Sequence, residues 1–508
     1  MQTSVTCAAL SGVSADIVRV EVDLAMGLPA FTIVGLPEGA VRESKVRVLA
    51  ALSNCGYVVP PRKITVNLAP ADLKKSGSAF DLAIALGLLS GVGLVEPGKL
   101  DNMMIIGELG LDGRCRPVPG ALPYALRADK SGKCSQVMLA SQNAAEASVV
   151  SRVEVLPVRD LPCAVMHLTG ESPIEPHPPT VAVPSDARED IDMSEVRGQE
   201  HAKRALEVAA AGAHNAIMIG PPGSGKTMLA RRLTTILPPL TFDEMLEVSA
   251  AHSVLGLTSA TKPLVTSRPF RSPHHTVSDA GLVGGSNPPR PGEVSLAHNG
   301  ILFLDELTEF KRHVLEVLRE PLEEGSITIS RAAGQATFPA RFNLIASMNP
   351  CPCGYYGTPD RDCTCSIGAV ERYRSRISGP LLDRIDLHVE VPAVAVRELT
   401  GRAPAESSKI IRARVNEARE IQEKRFEKSG VRTNGQMNLK QIHRYCELDG
   451  NARGLIERAI ERLGLSARAY ARILKVARTI ADLDHSTTVC VQHVAEAIGY
   501  RNLDRSKV

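Results

Sequence analysis

Residues 216–233, AIMIGPPGSGKTMLARRL, constrain the fold more than any other stretch. An apolar run enters a glycine-rich turn and leaves as a helical pattern, so a strand, a loop and a helix must come one after another. Gly220, Gly225, Lys226 and Thr227 fit the spacing G-x-x-x-x-G-K-[ST]. In the loop Gly220, Pro221, Pro222, Gly223, Ser224 and Gly225, the glycines let backbone N–H groups turn toward phosphate oxygens. The helix N-terminus directly after it favours negative charge. Lys226 is expected to reach the β- and γ-phosphates of ATP, and the Thr227 hydroxyl to ligate Mg2+. A chance glycine-rich turn is the competing reading, and the strand–loop–helix context argues against it.

A second stretch, NGILFLDEL (299–307), is an apolar strand ending in two carboxylates. Ligands of open α/β sheets bind at the carboxyl ends of strands. Asp305 is expected to hold Mg2+ through water, and Glu306 to polarise the attacking water; a solvated acidic turn is the alternative. FNLIASMN (342–349) is another such strand, and Asn349 at its end is placed to orient that water. Arg384, in ISGPLLDRIDLHVEV, is by itself a surface arginine, but in an oligomeric ATPase it can act as a finger on a neighbour's γ-phosphate.

The 508 residues imply several domains. ESPIEPHPPTVAVPSDARED (171–190), with five prolines, reads as an extended linker. Before it, short β-branched runs such as IVRVEVDL, FTIVGL, KITVNL and VEVLPV alternate with helical patterns. The expected organisation is an α/β domain over 1–170, the linker over 171–190, a second α/β domain over 191–395 and a helical domain over 396–508. The start lacks a basic run before an apolar one, and AIALGLLSGVGLV (83–95) is too short and glycine-rich to span a bilayer, so a cytoplasmic protein without membrane contact is expected.

The net charge of +3 is uneven: residues 401–508 carry 21 Lys and Arg against 13 Asp and Glu. A basic C-terminal region is compatible with nucleic acid, but on charge alone a solvated helical surface is the favoured reading. With 3% aromatics and no tryptophan, a base-stacking platform is poorly supported.

Four of the eleven cysteines lie in CPCGYYGTPDRDCTC (351–365). In a reducing compartment such a cluster points to thiols or metal ligands rather than disulfides. Cys351, Cys353, Cys363 and Cys365 form two C-x-C pairs that can converge on a structural Zn2+ with no open position. Four unliganded thiols are the alternative.

The stretches VRGQEHAKRALEVAAAGAHNAIMIGPPGSGKT, LFLDEL, ASMNPCPCG, LLDRIDLHVEV and SARAYARILKVARTIADL resemble the AAA+ ATPases related to magnesium chelatase, and more closely the bacterial YifB/ComM family. The resemblance covers nearly the whole chain. It implies Walker A at Lys226, Walker B at Asp305 and Glu306, sensor 1 at Asn349, a finger acting on the neighbour at Arg384 and a sensor-2 arginine at Arg468. It also implies a homo-hexameric ring. Seventy-nine positions separate Lys226 from Asp305, and the excess, with RSPHHT at its centre, matches an insertion of the chelatase-like clade. GSITISRAAGQATFPARFN (325–343) alternates as a hairpin with its tip near Ala332–Gln335. Such hairpins face the pore in related rings, which makes Arg271, His274, His275 and Arg331 candidate contacts to a threaded polymer; loop structure and subunit packing are the competing reading.

LAPADLKKSGSAFDLAIALGLL and GELGLDGRCRPVPGAL resemble Lon protease domains, which need a Ser nucleophile and a Lys base. Alignment with the degenerate Lon-like domain of the recombination ATPase RadA puts Ala79, or with a one-residue shift Ser78, at the serine position. Leu122 or Pro123 falls at the lysine position and neither accepts a proton. A non-proteolytic assembly or DNA-binding scaffold is the reading. Family resemblance thus implies a DNA motor for branch migration of recombination intermediates, including in natural transformation. A metal-chelatase motor subunit and an ATP-dependent unfoldase or protease are the alternatives.

Overall fold

The computed structural model describes residues 2–181, 191–331, 334–358, 361–394, 405–463, 466–501 and 503. Its first sheet has seven strands in the order β3-β4-β2-β1-β5-β8-β9. These are β1 (Gln2–Ser11), β2 (Ser14–Ala25), β3 (Ala30–Val34), β4 (Lys63–Ala69), β5 (Met103–Ile105), β8 (Gln136–Ala140) and β9 (Glu154–Val158), with β6 (Glu108–Leu109) and β7 (Cys115–Arg116) forming a small ribbon beside them. The sheet is mixed: β1 runs antiparallel to β2 and parallel to β5. β1 has too many Thr, Ser and Ala residues to stand out as a strand, yet it makes the longest pairing, from Gln2↔Asp23 to Ser11↔Ser14. Gly12, at φ 64, takes the left-handed conformation that this two-residue turn needs.

All of the helix Asp81–Gly91 is buried, so the apolar run that starts at 83 is core as far as 91, while Leu94 beyond it is exposed. A Cβ at Gly87 would stand 2.9 Å from Val22 Cγ2, which shows how closely the helix lies on β2. Among the described residues no helix is long and apolar enough to cross a membrane.

The second sheet has the order β11-β14-β17-β10-β18: β11 (Phe270–Arg271), β14 (Ile301–Leu304), β17 (Asn343–Met348), β10 (Ala216–Ile219) and β18 (Leu387–Glu390). Every pairing is parallel. β10 and β14 are buried throughout, as the unbroken apolar runs AIMI and ILFL require of strands covered on both faces. Two ribbons stand outside it: β12 (Gly284–Gly285) with β13 (Arg290–Pro291), and β15 (Ser326–Arg331) with β16 (Gly334–Pro339). In the latter Arg331 pairs with Gly334; the turn, at 332–333, lies outside the described residues.

The proline-rich segment does not hang free where it is described. His177 N donates to Val155 O at 2.8 Å, and Thr180 Oγ1 to Ala145 O at 2.8 Å, so 171–181 run along the first sheet's edge; 182–190 lie outside the described residues. The first sheet's unit also meets the insertion after the P-loop helix. Buried Glu146 accepts from Leu122 N at 3.0 Å, from Thr258 Oγ1 at 2.8 Å and from Ser253 Oγ.

The C-terminal helices, among them Ser408–Phe426, Gly450–Leu463, Ala467–Leu483 and Val491–Gly499, pack with the second sheet's unit in one core. Several arginines after residue 400 are paired within the chain: Arg432 with Glu244 at 3.1 Å, Arg414 with Glu207, and Arg472 with Asp386. Others, such as Lys424, Lys428, Arg444, Arg453 and Arg458, are exposed, so the basic excess is divided between internal pairing and solvated helix surface.

Asp386, 4% exposed at the start of β18, is the centre of this docking. Its carboxylate accepts from Asn215 N at 3.1 Å, faces His214 Nδ1 at 3.3 Å and pairs with Arg472 of the helix Ala467–Leu483. Burial opposes the charge, but Arg472 and His214 hold the carboxyl far below the usual range. A depressed folded value means that its contribution is present above the unfolded value of about 3.9 and fades as pH falls below it. Asp386→Asn is expected to cost about 3 kcal/mol or more, because it leaves Arg472 without its counter-ion. Denaturant melts at neutral pH check the loss, and melts from pH 6 to 3 should show a shallower acid limb in the variant.

Candidate nucleotide site

Because β10, β14 and β17 run parallel and in register, their carboxyl ends bring Gly220, Asp305 and Asn349 to one edge of the sheet. A Cβ at Gly220 would stand 2.0 Å from Val391 O, so the first loop glycine is required by the close passage of the chain after β18. Gly223 and Gly225 take φ 77 and 88, and the helix Lys226–Ile236 starts directly behind them. Pro221, Pro222 and Ser224 complete the loop, and Ser224 N closes a turn on Pro221 O at 3.3 Å.

Lys226 Nζ is buried and donates to Gly220 O at 2.7 Å, Pro221 O at 2.9 Å and Asn349 Oδ1 at 3.3 Å. Burial lowers its pKa, while Asp305 and Glu306 work against that shift. Thr227 Oγ1 donates to Asp305 Oδ2 at 2.8 Å. A hydroxyl and a carboxylate oxygen in contact, beside a loop of inward N–H groups, are the donors that a hard Mg2+ ion with bound phosphate takes. Ser347 Oγ bonds the other Asp305 oxygen. Sequence reasoning missed Ser347; its only signal was a hydroxyl inside the apolar run LIASM.

Glu306 adopts φ 52, a left-handed conformation unusual for a residue with a side chain, and its N–H donates to Asp305 Oδ1 at 3.1 Å. This turns the second carboxylate outward, into a cleft of about 600 Å³ whose walls include Asn349, Pro352, Arg372, Tyr373 and Arg376. Water, a γ-phosphate and a cationic side chain from outside can all meet Glu306 there.

His275 Nδ1 is 3.9 Å from Glu306 Oε2, with its ring tilted against His274, centroids 4.1 Å apart, and edge-on to Phe310. Arg271 makes two bonds to Glu293, at 2.6 and 2.7 Å, and is partly buried, so it is engaged within its own chain. His274 is exposed, its Nδ1 2.9 Å from Thr276 Oγ1. Arg331 is exposed at the far end of the β15–β16 hairpin.

Arg384 and Arg468 lie on the other side. Arg384 shortly precedes β18, and its carbonyl accepts from Asn215 Nδ2 at 3.0 Å, so it belongs to the amino-terminal edge of the sheet. Four residues of strand, about 13 Å, separate that edge from the P-loop. Arg384 is 4% exposed and ion-paired with Glu323. Arg468, exposed at the start of the helix Ala467–Leu483, also acts on Glu323. The two arginines therefore share a face that their own P-loop does not reach.

The four cysteine sulfurs lie within 4.8 Å of one another. Cys351 Sγ is 3.3 Å from Cys353 Sγ and 3.7 Å from Cys363 Sγ, and Cys353 is 3.5 Å from Cys363. Four ligands at about 2.3 Å around a tetrahedral Zn2+ imply sulfur separations of about 3.8 Å, so the donor set fits. Backbone N–H groups of Tyr355 and Thr364 push the Cys353 thiol down, while desolvation and the crowded sulfur neighbours push Cys363 and Cys365 up. Gly354, at φ 88, lies so close to the P-loop that a Cβ there would be 2.6 Å from Pro222 Cδ. The cysteine loop is thus a brace against the phosphate-binding loop.

Comparison with known proteins agrees with this architecture. Residues 192–399 match a family model described as magnesium chelatase, subunit ChlI. Residues 20–143 match subunit ChlI of Mg-chelatase, and 405–501 its C-terminal part. The 38 kDa subunit of magnesium chelatase from Cereibacter sphaeroides is 27% identical over 174 residues, 31% of this chain and 52% of that protein. Much greater likeness is found to the uncharacterized protein YifB of Escherichia coli, 45% identical over 97% of this chain and 96% of the relative. The competence protein ComM of Haemophilus influenzae is also 45% identical, over the same shares. With its α/β architecture and this likeness from end to end, the chain belongs to the YifB/ComM family of magnesium-chelatase-like AAA+ proteins.

Proposed function

We propose that this protein is an ATP-driven ring motor that works on branched DNA. The observation that carries the reading is the division of labour between the sheet's two edges. Lys226, Thr227, Asp305, Glu306 and Asn349 gather at one edge, while Arg384 and Arg468 stand at the other. Arg372 and Arg376 line the cleft at Glu306, but Arg384 and Arg468 do not stand at that edge; in this reading a neighbour's Arg384 completes the site, which implies closed rings of identical chains. In this reading Lys226 and Thr227 hold the phosphates and Mg2+, Asp305 binds the metal, and Glu306 with Asn349 directs the water. His275 joins this group as a neighbour of Glu306.

DNA enters through the competence name of one full-length relative and through the exposed end of the β15–β16 hairpin with Arg331. Phosphate contacts from such a hairpin suit the backbone rather than base edges, so binding is expected to be salt-sensitive with little sequence preference. The chelatase family models match most of the chain, but end-to-end likeness at 45% identity is to YifB and ComM. The chelatase subunit itself aligns over 31% of the chain at 27% identity, which weighs against metal insertion. A Lon-type peptidase role lacks its lysine base: Leu122, at that position, is buried with its N–H on Glu146.

ATPase assays with four-way junction, duplex and no DNA test the proposal. Junction DNA at low salt should stimulate most. Arg331→Ala should reduce that stimulation and spare basal turnover, and Glu306→Gln should bind ATP but hydrolyse it about 100-fold or more slowly. No binding or stimulation by any DNA, with a porphyrin or an unfolded protein stimulating instead, would replace the reading.

The four cysteines are proposed to hold one structural Zn2+ per chain, bracing Asn349 and the P-loop. Elemental analysis of protein purified without chelator should find about one zinc per chain. Cys363→Ser should lose it, melt earlier and bind ATP more weakly. Metal-free protein with full ATP affinity would remove the site.

A further inference from the structure

The arginine turned away from its own nucleotide is not free to reach another. Arg384 Nη2 is paired with Glu323 Oε1, Nη1 donates to Pro380 O at 2.6 Å, and Nε is buried with no partner among the described residues. Its main chain is fixed, since Asn215 and Arg472 both bond its carbonyl, at 3.0 and 3.4 Å. Only the side chain can swing, and it must first leave Glu323.

Glu323 is differently placed. Its side chain is 50% exposed. It lies in the last turn of the helix Arg319–Glu324, which stops at Gly325, and β15 begins at the next residue. Thr328 N of β15 donates to Glu320 Oε1 at 3.2 Å, so hairpin and helix move as one piece. A force on the hairpin is a force on Glu323.

We propose that Glu323 is a latch, withholding Arg384 until a load on the β15–β16 hairpin releases it toward a neighbouring copy's γ-phosphate. This rests on the ring reading above and deepens it. The exchange is balanced in charge. Arg384 trades one carboxylate for a phosphate of greater negative charge, and its orphaned Nε gains an acceptor. Glu323 is not stranded, because Arg468 and Arg319 also act on it and remain when Arg384 leaves. Two discrete pairings of one arginine make a two-state element that a polymer in the pore can bias. Glu323 touches no substrate and acts through Arg384, so it is a positioning residue.

The test is steady-state hydrolysis by the full chain, with and without four-way junction DNA, for Glu323→Gln, Glu323→Asp, Arg384→Ala and the Glu323→Gln/Arg384→Ala double variant. The latch predicts that Glu323→Gln raises basal kcat about fivefold or more at unchanged KM. The DNA-stimulated plateau should stay where it was, so the stimulation ratio collapses. Glu323→Asp should fall between, and the double variant should be as inactive as Arg384→Ala. Basal turnover unchanged or lowered in Glu323→Gln, with an unaltered melt, overturns the latch and leaves the finger standing. If Glu323→Gln melts early, Glu323→Asp decides by the same criterion. Arg384→Ala with full turnover overturns both latch and finger. Failure of DNA to stimulate the parent chain removes the DNA reading alone, because the basal gain is read without it.

Discussion

Parallel pairing of β10, β14, β17 and β18 is the constraint on which the rest of the molecule depends. In a parallel sheet every strand points its carboxyl end the same way. Residues just after the strands therefore gather at one edge, and residues just before them at the other. Gly220, Asp305 and Asn349 come after strands; Asn215, Arg384 and Asp386 precede them. The fold thus gathers Lys226, Thr227, Asp305 and Asn349 at one edge and keeps Arg384 at the other. Asp386 adds the C-terminal helices to that second edge by holding Arg472, which carries Arg468 to the same face. The proposal that follows from this division is a site completed between two copies.

The phosphate-binding edge was legible in the sequence because its residues sit at fixed offsets from strand ends. Four buried residues before Gly220, and four before Asp305, announce both the strand and the place of the polar residue at its end. The cysteine cluster was legible for the same reason: spacing of like residues in a short loop survives without knowledge of the fold. The first sheet was legible except at β1, whose Thr, Ser and Ala residues carry little strand preference, and which is a strand because of its partner.

Contacts between distant segments were not legible. Glu323 is one of several acids in EPLEEG, and nothing local marks the one that meets Arg384, 61 positions away. Glu146 is likewise one acid in a helix, and its bonds to Leu122, Ser253 and Thr258 depend on two units meeting. The neighbours of RSPHHT were not legible either, since a loop's direction is set by its packing partners, here Phe310 and Glu306 for His275. Part of the basic C-terminal excess was also beyond reach of the sequence: a formal charge count does not show that Arg414, Arg432 and Arg472 have buried partners across the chain.

The central claim is that one reaction centre needs two chains. Mixing separately inactive variants tests it most directly. Lys226→Ala and Arg384→Ala proteins should each lose hydrolysis. Equal parts allowed to exchange subunits should recover part of it, because some interfaces then join an intact P-loop to an intact Arg384. Mixed rings that form, as judged by native mass spectrometry, and hydrolyse nothing would contradict the account, as would full activity of Arg384→Ala on its own.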